Sequence, residues 1–171
     1  SMELLEGIRT RRTVRSYTGA PVPVAHLEQI VDAGRLAASG NNRQPWEFIV
    51  VSDPAQMARL RIPVDHWSAQ AGAYIAVVMD SEASRWWVED GSAAVQNMLL
   101  AAHALGYGCC WIEGYTRRNE EVLCQVLGIP ANRKLFTLVT VGVPADMPQK
   151  EKKSLAEVIH WQVYNDAGGT Q

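Results

Sequence analysis

Four arginines fall within seven positions near the start of the sequence, at Arg9, Arg11, Arg12 and Arg15 in RTRRTVRSYT (9–18). Lys150, Lys152 and Lys153 form a second basic cluster near the other end. Guanidinium presents a planar donor fork and ammonium a point charge, and both suit a phosphate. If the fold joins the clusters, they frame a site for one dianion. If it does not, each is a solvated basic turn, the first complementing the C-terminal dipole of a short helix. Spacing alone leaves both readings open.

Three other stretches carry candidate chemistry. SGNNRQPW (39–46) packs small, amide and aromatic groups together, either as a turn whose Asn side chains bond their own backbone or as a ligand wall with Ser39 and Asn42 as polar contacts and Trp46 as packing. WIEGY (111–115) runs a strand end into Gly114, where backbone can approach a flat ligand or simply turn. Trp67, Trp86 and Trp87 stand among Gly and Ser, as rim packing or as an aromatic substrate pocket. His26, His66, His103 and His160 are scattered and the cysteines lack Cys-x-x-Cys spacing, so no metal site is expected. GYG (106–108) follows its helix instead of opening one and is no dinucleotide fingerprint; phosphate-loop, nucleophile-elbow and His-Glu-x-x-His motifs do not occur.

The elements that must position these residues follow from periodicity. Residues 2–10 read as a short helix, and 24–36 repeat apolar positions at helical spacing until Gly, Asn and Pro end the pattern. EFIVVS (47–52), AYIAVVMD (73–80), CCWI (109–112) and LFTLVTVGV (135–143) read as strands, the second apolar enough to be buried on both faces. Asp53-Pro54 opens a helix. Residues 91–105 form a helix apolar almost all round, which belongs in a core or a subunit interface. A polar helix is expected over 117–127 and a short one from Ser154. If the first helix runs on through Arg15, Arg11 and Arg15 share a face, with Arg12 and Thr13 at its exit. The pattern is α+β with about four strands, and one domain over 1–171 is expected.

Bulk numbers narrow the function classes. With 16 basic against 18 acidic residues among 171, general nucleic-acid binding has little support. No apolar run reaches the length of a membrane span, and no charged-then-apolar leader opens the chain, so no membrane association is expected. Cys109, Cys110 and Cys124 are odd in number and two are adjacent, which points to reduced thiols in a cytoplasm.

IRTRRTVRSY (8–17) resembles the opening Arg-Arg-Ser-x-Arg motif of the nitroreductase family of FMN-dependent flavoproteins. AASGNNRQPWEFIVV (37–51) resembles its Pro-Ser-x-x-Asn-x-Gln-Pro-Trp segment. EDGSAAVQNMLLAAHALGYGCCWIEGY (89–115) is similar to its long dimer helix and flavin-contacting strand end, and LVTVGVPADMPQKEKKSLAEVIHW (138–161) to its closing pattern. The four run in family order over nearly the whole chain. The departures are Ala38 for a common Pro, Thr13 for Ser, Lys152 for a frequent Arg, and a short stretch from Arg59 to Val88.

The resemblance implies an α+β fold with a central, mostly antiparallel sheet flanked by helices, in an intertwined homodimer with FMN at the interface. It implies that Arg11, Arg12, Thr13 and Arg15 meet the flavin phosphate and ring edge, with Lys150 and Lys152 completing the phosphate site. Ser39, Asn42 and Gln44 would line the flavin, some from the partner chain, and Glu113 and Gly114 would offer backbone N–H groups beside the ring. Trp67, Trp86 and Trp87 are the candidates for the substrate side. The implied activity is reduction of nitroaromatics, quinones or similar flat electrophiles by NADH or NADPH in a ping-pong cycle. The alternatives are a flavin carrier or sensor with little turnover, or a same-fold dehalogenase or flavin-fragmenting enzyme. An arginine at the ring edge would stabilise the charge of a reduced flavin, and a cofactor that carries the reactivity explains why no nucleophile or acid–base pair is evident.

Overall fold

In a computed structural model the described residues are 2–60, 62–63 and 66–164. Four strands, β1 (Trp46–Val51), β2 (Ala73–Met79), β3 (Gly108–Ile112) and β4 (Lys134–Gly142), form one sheet in the order β1-β2-β4-β3. All three pairings are antiparallel. The helices are α1 (Leu4–Thr10), α2 (Val24–Arg35), α3 (Pro54–Arg59), α4 (Trp87–Ala104), α5 (Gly114–Arg118), α6 (Glu120–Leu127) and α7 (Leu155–Val158).

β2 is buried along its whole length, and its side chains alternate between two cores. Ile75, Val77 and Met79 join Leu27 and Ile30 of α2 and Val95 and Met98 of α4 on one face. Tyr74 and Ala76 join Val14, Tyr17, Leu60, Leu123 and Leu138 on the other. A register shift between Val77 and Val78 leaves Phe136 of β4 as an extra residue, a bulge that turns its ring toward Trp87 and Trp111, at 6.3 and 6.0 Å between centroids.

The sequence patterns differ from the structure in two helices. The long apolar helix begins at Trp87, four residues ahead of the expected Gly91, with Glu89 and Asp90 in its first turn where the dipole favours acids. The expected helix over 117–127 is broken at Asn119 (φ −119°, ψ 17°) into α5 and α6. Arg117 is drawn toward the sheet there, donating from Nη2 to the Leu135 and Phe136 carbonyls at 2.5 and 2.8 Å.

Several apolar side chains among the described residues are largely exposed. Leu4, Leu5 and Ile8 of α1 are each more than half exposed, as is Leu36 after α2. Near the other terminus, Leu155, Val158, Trp161, Val163 and Tyr164 are exposed as well.

Candidate functional site

α1 stops at Thr10, and Arg11 (φ −59°, ψ 133°) turns the chain into an extended segment, so Arg11 and Arg15 do not share a helical face. Sheet extension outcompetes another helical turn: Thr13 bridges to Cys109, and the Val14 N–H donates to the Cys109 carbonyl at 3.0 Å. Farther on, Tyr17 bridges to Pro144, the Thr18 N–H donates to Val143, and the Ala145 N–H donates to Ser16 at 2.8 Å. Residues 13–18 are thus fastened between the edge of β3 and the exit of β4. A facing glycine pair makes room for them. A Cβ on Gly108 would lie 2.5 Å from Val14 Cβ, and one on Gly142 would lie 2.7 Å from Tyr17 Cδ1.

Alternate residues of an extended segment share a side. Val14 is fully buried, which leaves Arg11, Thr13 and Arg15 on the opposite side. The chain leaving β4 returns beside them, and the two basic clusters line one cleft of about 290 Å³ with Pro148 and Glu151. Arg11, Arg12, Arg15, Lys150 and Lys152 stand there against the single acid Glu151. Among the described residues, no ion pair involves Arg11, Lys150 or Lys152. Such a donor set fits a terminal phosphate ester.

Arg12 differs from its neighbours. Its Nε donates to the Lys150 carbonyl at 2.9 Å, and its Nη1 donates to the carbonyls of Arg9 and Arg11 at 2.9 and 2.8 Å. The side chain that charge alone assigns to a phosphate is a clasp between the two basic segments. His103 supports the same corner. The Thr10 hydroxyl donates to the Glu6 carbonyl at 2.7 Å, so His103 Nε2, 2.8 Å away, is the donor to Thr10 Oγ1. Partial burial, and then the charges of Arg11 and Arg12, hold the His103 pKa below its ordinary value, with Glu6 opposing them.

Beneath the cleft, burial pushes both the Cys109 and Cys110 thiols up, and Arg15 partly offsets this at Cys110 by its charge and a hydrogen bond. Both thiols are small buried groups without thiolate character at neutral pH.

At the far end of β3, Glu113 precedes α5. Its carboxylate accepts from Trp111 Nε1 at 2.6 Å and pairs with Arg117 at 3.7 Å. The side chain is therefore occupied, and a ligand here would meet the backbone of Glu113 and Gly114, where the first N–H groups of α5 lack intrahelical partners.

Ser39, Asn42 and Gln44 lie elsewhere. Their loop joins α2 to β1, at the sheet edge opposite β3, so three strand spacings, roughly 14 Å, separate them from the β3 edge. Asn41, Asn42 and Gln44 all have left-handed backbone (φ 52°, 55° and 52°). Asn tolerates this region, whereas Gln is strained there. Inside the loop the Gln44 N–H donates to Ser39 Oγ at 3.1 Å, and Gln44 Nε2 donates to the Asn42 carbonyl at 3.1 Å. Within one chain the loop does not line the basic cleft.

Trp86 and Trp87 do not line that cleft either. Trp87 packs edge-on against Phe136, and Trp86 lies under the Arg85 guanidinium at 4.9 Å and against Gly40. The side chain of Trp67 is outside the described residues. Trp46 is buried in the core.

The family model described as "Nitroreductase family" matches residues 8–64 and 64–143. The chain belongs to the nitroreductase family. It is 38% identical over 151 residues to a protein of Archaeoglobus fulgidus named "Putative NADH dehydrogenase/NAD(P)H nitroreductase", covering 84% of this chain and 87% of that one. A solved Bacteroides thetaiotaomicron structure with the same name superposes with a TM-score of 0.85 at 34% identity, over 96% of this chain and 99% of that one. A Bacteroides fragilis nitroreductase with bound FMN gives a TM-score of 0.77 at 29% identity, over 94% and 98% of the two chains.

Against this nitroreductase fold, the sequence motifs fall into three places: the basic cleft, the start of α5, and the Ser39–Gln44 loop. Charge and spacing do not reveal Glu151 in the cleft wall or the carbonyl clasp of Arg12. A lone acid between two lysines and an arginine among arginines carry no signal of either.

Proposed function

We propose that the chain is an FMN-dependent oxidoreductase that takes electrons from NADH or NADPH and reduces nitroaromatics, quinones or similar flat electrophiles. The observation that carries this reading is the convergence of Arg11, Thr13 and Arg15 with Lys150 and Lys152 on one cleft. The FMN-bound relative and the names of the other relatives support it. The chemistry that FMN supplies when bound is two-electron transfer between a donor and an acceptor.

The chain's own residues bind and orient. Arg11, Lys150 and Lys152 hold the phosphate through charge-assisted hydrogen bonds, with the Thr13 hydroxyl as a neutral donor. Arg12 keeps the two basic segments in register through carbonyls. Arg15 stands farther along β3 and offers positive charge toward the ring edge, where charge develops on reduction. Glu113 and Gly114 present backbone N–H groups, which position a ring atom without bringing a competing acid or base. Ser39, Asn42 and Gln44 complete the site from a second copy of the chain. The exposed Leu4, Leu5, Ile8 and Leu36, with the exposed Leu155, Val158, Trp161, Val163 and Tyr164, supply the surface for that dimer.

Gel filtration after incubation with FMN should return a yellow protein at the mass of a dimer. Steady-state kinetics with NADH or NADPH and menadione should give parallel double-reciprocal lines, the sign that donor and acceptor use one site in turn. A colourless protein that takes up no FMN sinks the reading. Flavin that binds but is reduced by neither nicotinamide leaves a carrier or sensor.

A further inference from the structure

We propose that Asp90 is a positioning residue: its buried carboxylate ties the Ser39–Gln44 loop to the start of α4 and holds it in the geometry that FMN contact needs. The inference rests on the proposed function, since it concerns a loop assigned there to the flavin.

Asp90 is only 4% exposed, although it lies in the first turn of α4. Its Oδ1 accepts the Gly40 N–H at 2.9 Å, reaching the loop from another element. Its Oδ2 accepts the Ser84 hydroxyl at 2.7 Å, and Ser84 Oγ in turn accepts the Trp86 N–H at 3.1 Å. Ser84 is itself buried, at 2% exposure. The carboxylate therefore joins three segments: the loop, the turn after β2 and the start of α4.

Helix-dipole complementation does not account for this. Glu89, next to it in the same turn, supplies that charge from an exposed position. A buried carboxylate is disfavoured unless its oxygens are satisfied, and one that is satisfied fixes its donors tightly. The object it fixes needs fixing. Residues 41–44 are exposed, and three of them are left-handed without being glycine. Strain of this kind persists only where surrounding structure over-determines it. Gly40 sits at the joint, where an added Cβ would lie 2.7 Å from Trp86 Cδ1, so the loop is pressed against the first residues of α4 at the point where Asp90 holds it.

Hydrogen–deuterium exchange of the amides of residues 39–44 in full-length protein without added flavin reads the clamp directly. Asp90→Ala should lose most of the loop's protection. Asp90→Asn should keep part of it, because its amide oxygen can accept from Gly40 while its NH2 donates to Ser84. Val95→Ala removes a fully buried side chain of the same helix and controls for general destabilisation. It should lower the melting temperature yet leave loop exchange and FMN affinity near wild type. Asp90→Ala should weaken FMN on the order of tenfold, with Asp90→Asn in between. If Asp90→Ala does not fold, Ser84→Ala severs half of the bridge and should show the same ordering in milder form. Equal effects of Val95→Ala and Asp90→Ala on loop exchange and affinity at matched melting temperatures overturn the inference. Wild type that takes up no FMN removes the proposed function instead, a result visible before any variant is made.

Discussion

The basic cleft and the Ser39–Gln44 loop are built in opposite ways. The cleft is charged, and its backbone is ordinary extended chain fastened by strand-like hydrogen bonds from both ends of the sequence. The loop carries amides and a hydroxyl on a left-handed backbone, and a buried carboxylate reaches it from α4. Charge acts over several ångströms and tolerates small errors of placement. An amide does not, since a hydrogen bond fails within about half an ångström and a few tens of degrees. The cleft should therefore set affinity and the loop should set geometry, and each should fail in its own manner when altered.

The largest loss is expected on the cleft side. Arg11→Ala and Lys150→Ala each remove a charge-assisted hydrogen bond, and each should weaken FMN binding about 10- to 150-fold. Added salt should narrow the gap to wild type. Arg9→Ala is the control: Arg9 is exposed and does not line the cleft, so its removal should leave the dissociation constant nearly unchanged. Fluorescence titration with FMN measures all three. Equal losses would mean a diffuse basic surface in place of a site.

Arg12 comes next, and it distinguishes a clasp from a ligand. Arg12→Lys retains the charge but cannot reach the carbonyls of Arg9, Arg11 and Lys150 together. If Arg12 works as a point charge, lysine should restore affinity. If it works as a clasp, Arg12→Lys and Arg12→Ala should both lose about 1–2 kcal/mol, and the loss should not add to that of Lys150→Ala. A double-mutant cycle on Arg12 and Lys150 decides between them.

The loop offers a smaller effect of opposite sign in stability and binding. Gln44→Gly relieves a left-handed φ of 52° at the cost of glycine's greater freedom when unfolded. The net gain should be about 1 kcal/mol, raising the melting temperature about 2–4 °C. FMN affinity should fall in the same protein, because the amide is gone. A variant that is neither stabilised nor weakened in binding would place Gln44 outside the site.

The same contrast governs what was legible in the sequence. Two basic clusters are conspicuous as residue types, and the strands that carry them together are long apolar runs, so both the cleft's members and its frame can be read. Where Arg12 points is not readable, because helix exit and sheet extension compete at Arg11 and the winner depends on Cys109, far along the chain. The loop's residue types can be read, but its left-handed turn at Gln44 runs against glutamine's own preference. Asp90 is written like any first-turn acid; only burial against Ser84 and Gly40 separates it from Glu89. Trp87 shows the limit from the other side, since aromatic type alone does not announce its edge-on packing against Phe136.

The smallest effect concerns pH and again belongs to the cleft side. His103 donates to Thr10, the last residue before the chain turns into the cleft, and its pKa is lowered by partial burial and by Arg11 and Arg12. The folded protein therefore binds this proton less readily than the unfolded chain. As pH falls through the ordinary histidine value of 6.5, the unfolded state takes up the proton first and stability declines. The decline continues until the folded-state pKa is passed, and above that window the contribution is fully present. His103→Gln keeps a donor to Thr10 Oγ1 but cannot titrate, so its stability should fall less steeply than wild type between pH 6.5 and 5. Urea denaturation at several pH values, compared as the difference between the two proteins, isolates His103 from other titrating groups. A bound phosphate should shrink the difference, because its charge offsets the arginines that depress the histidine. Identical slopes without ligand would show that burial and the two arginines do not lower the His103 pKa, and a difference that persists unchanged with phosphate would show that the anion sits elsewhere.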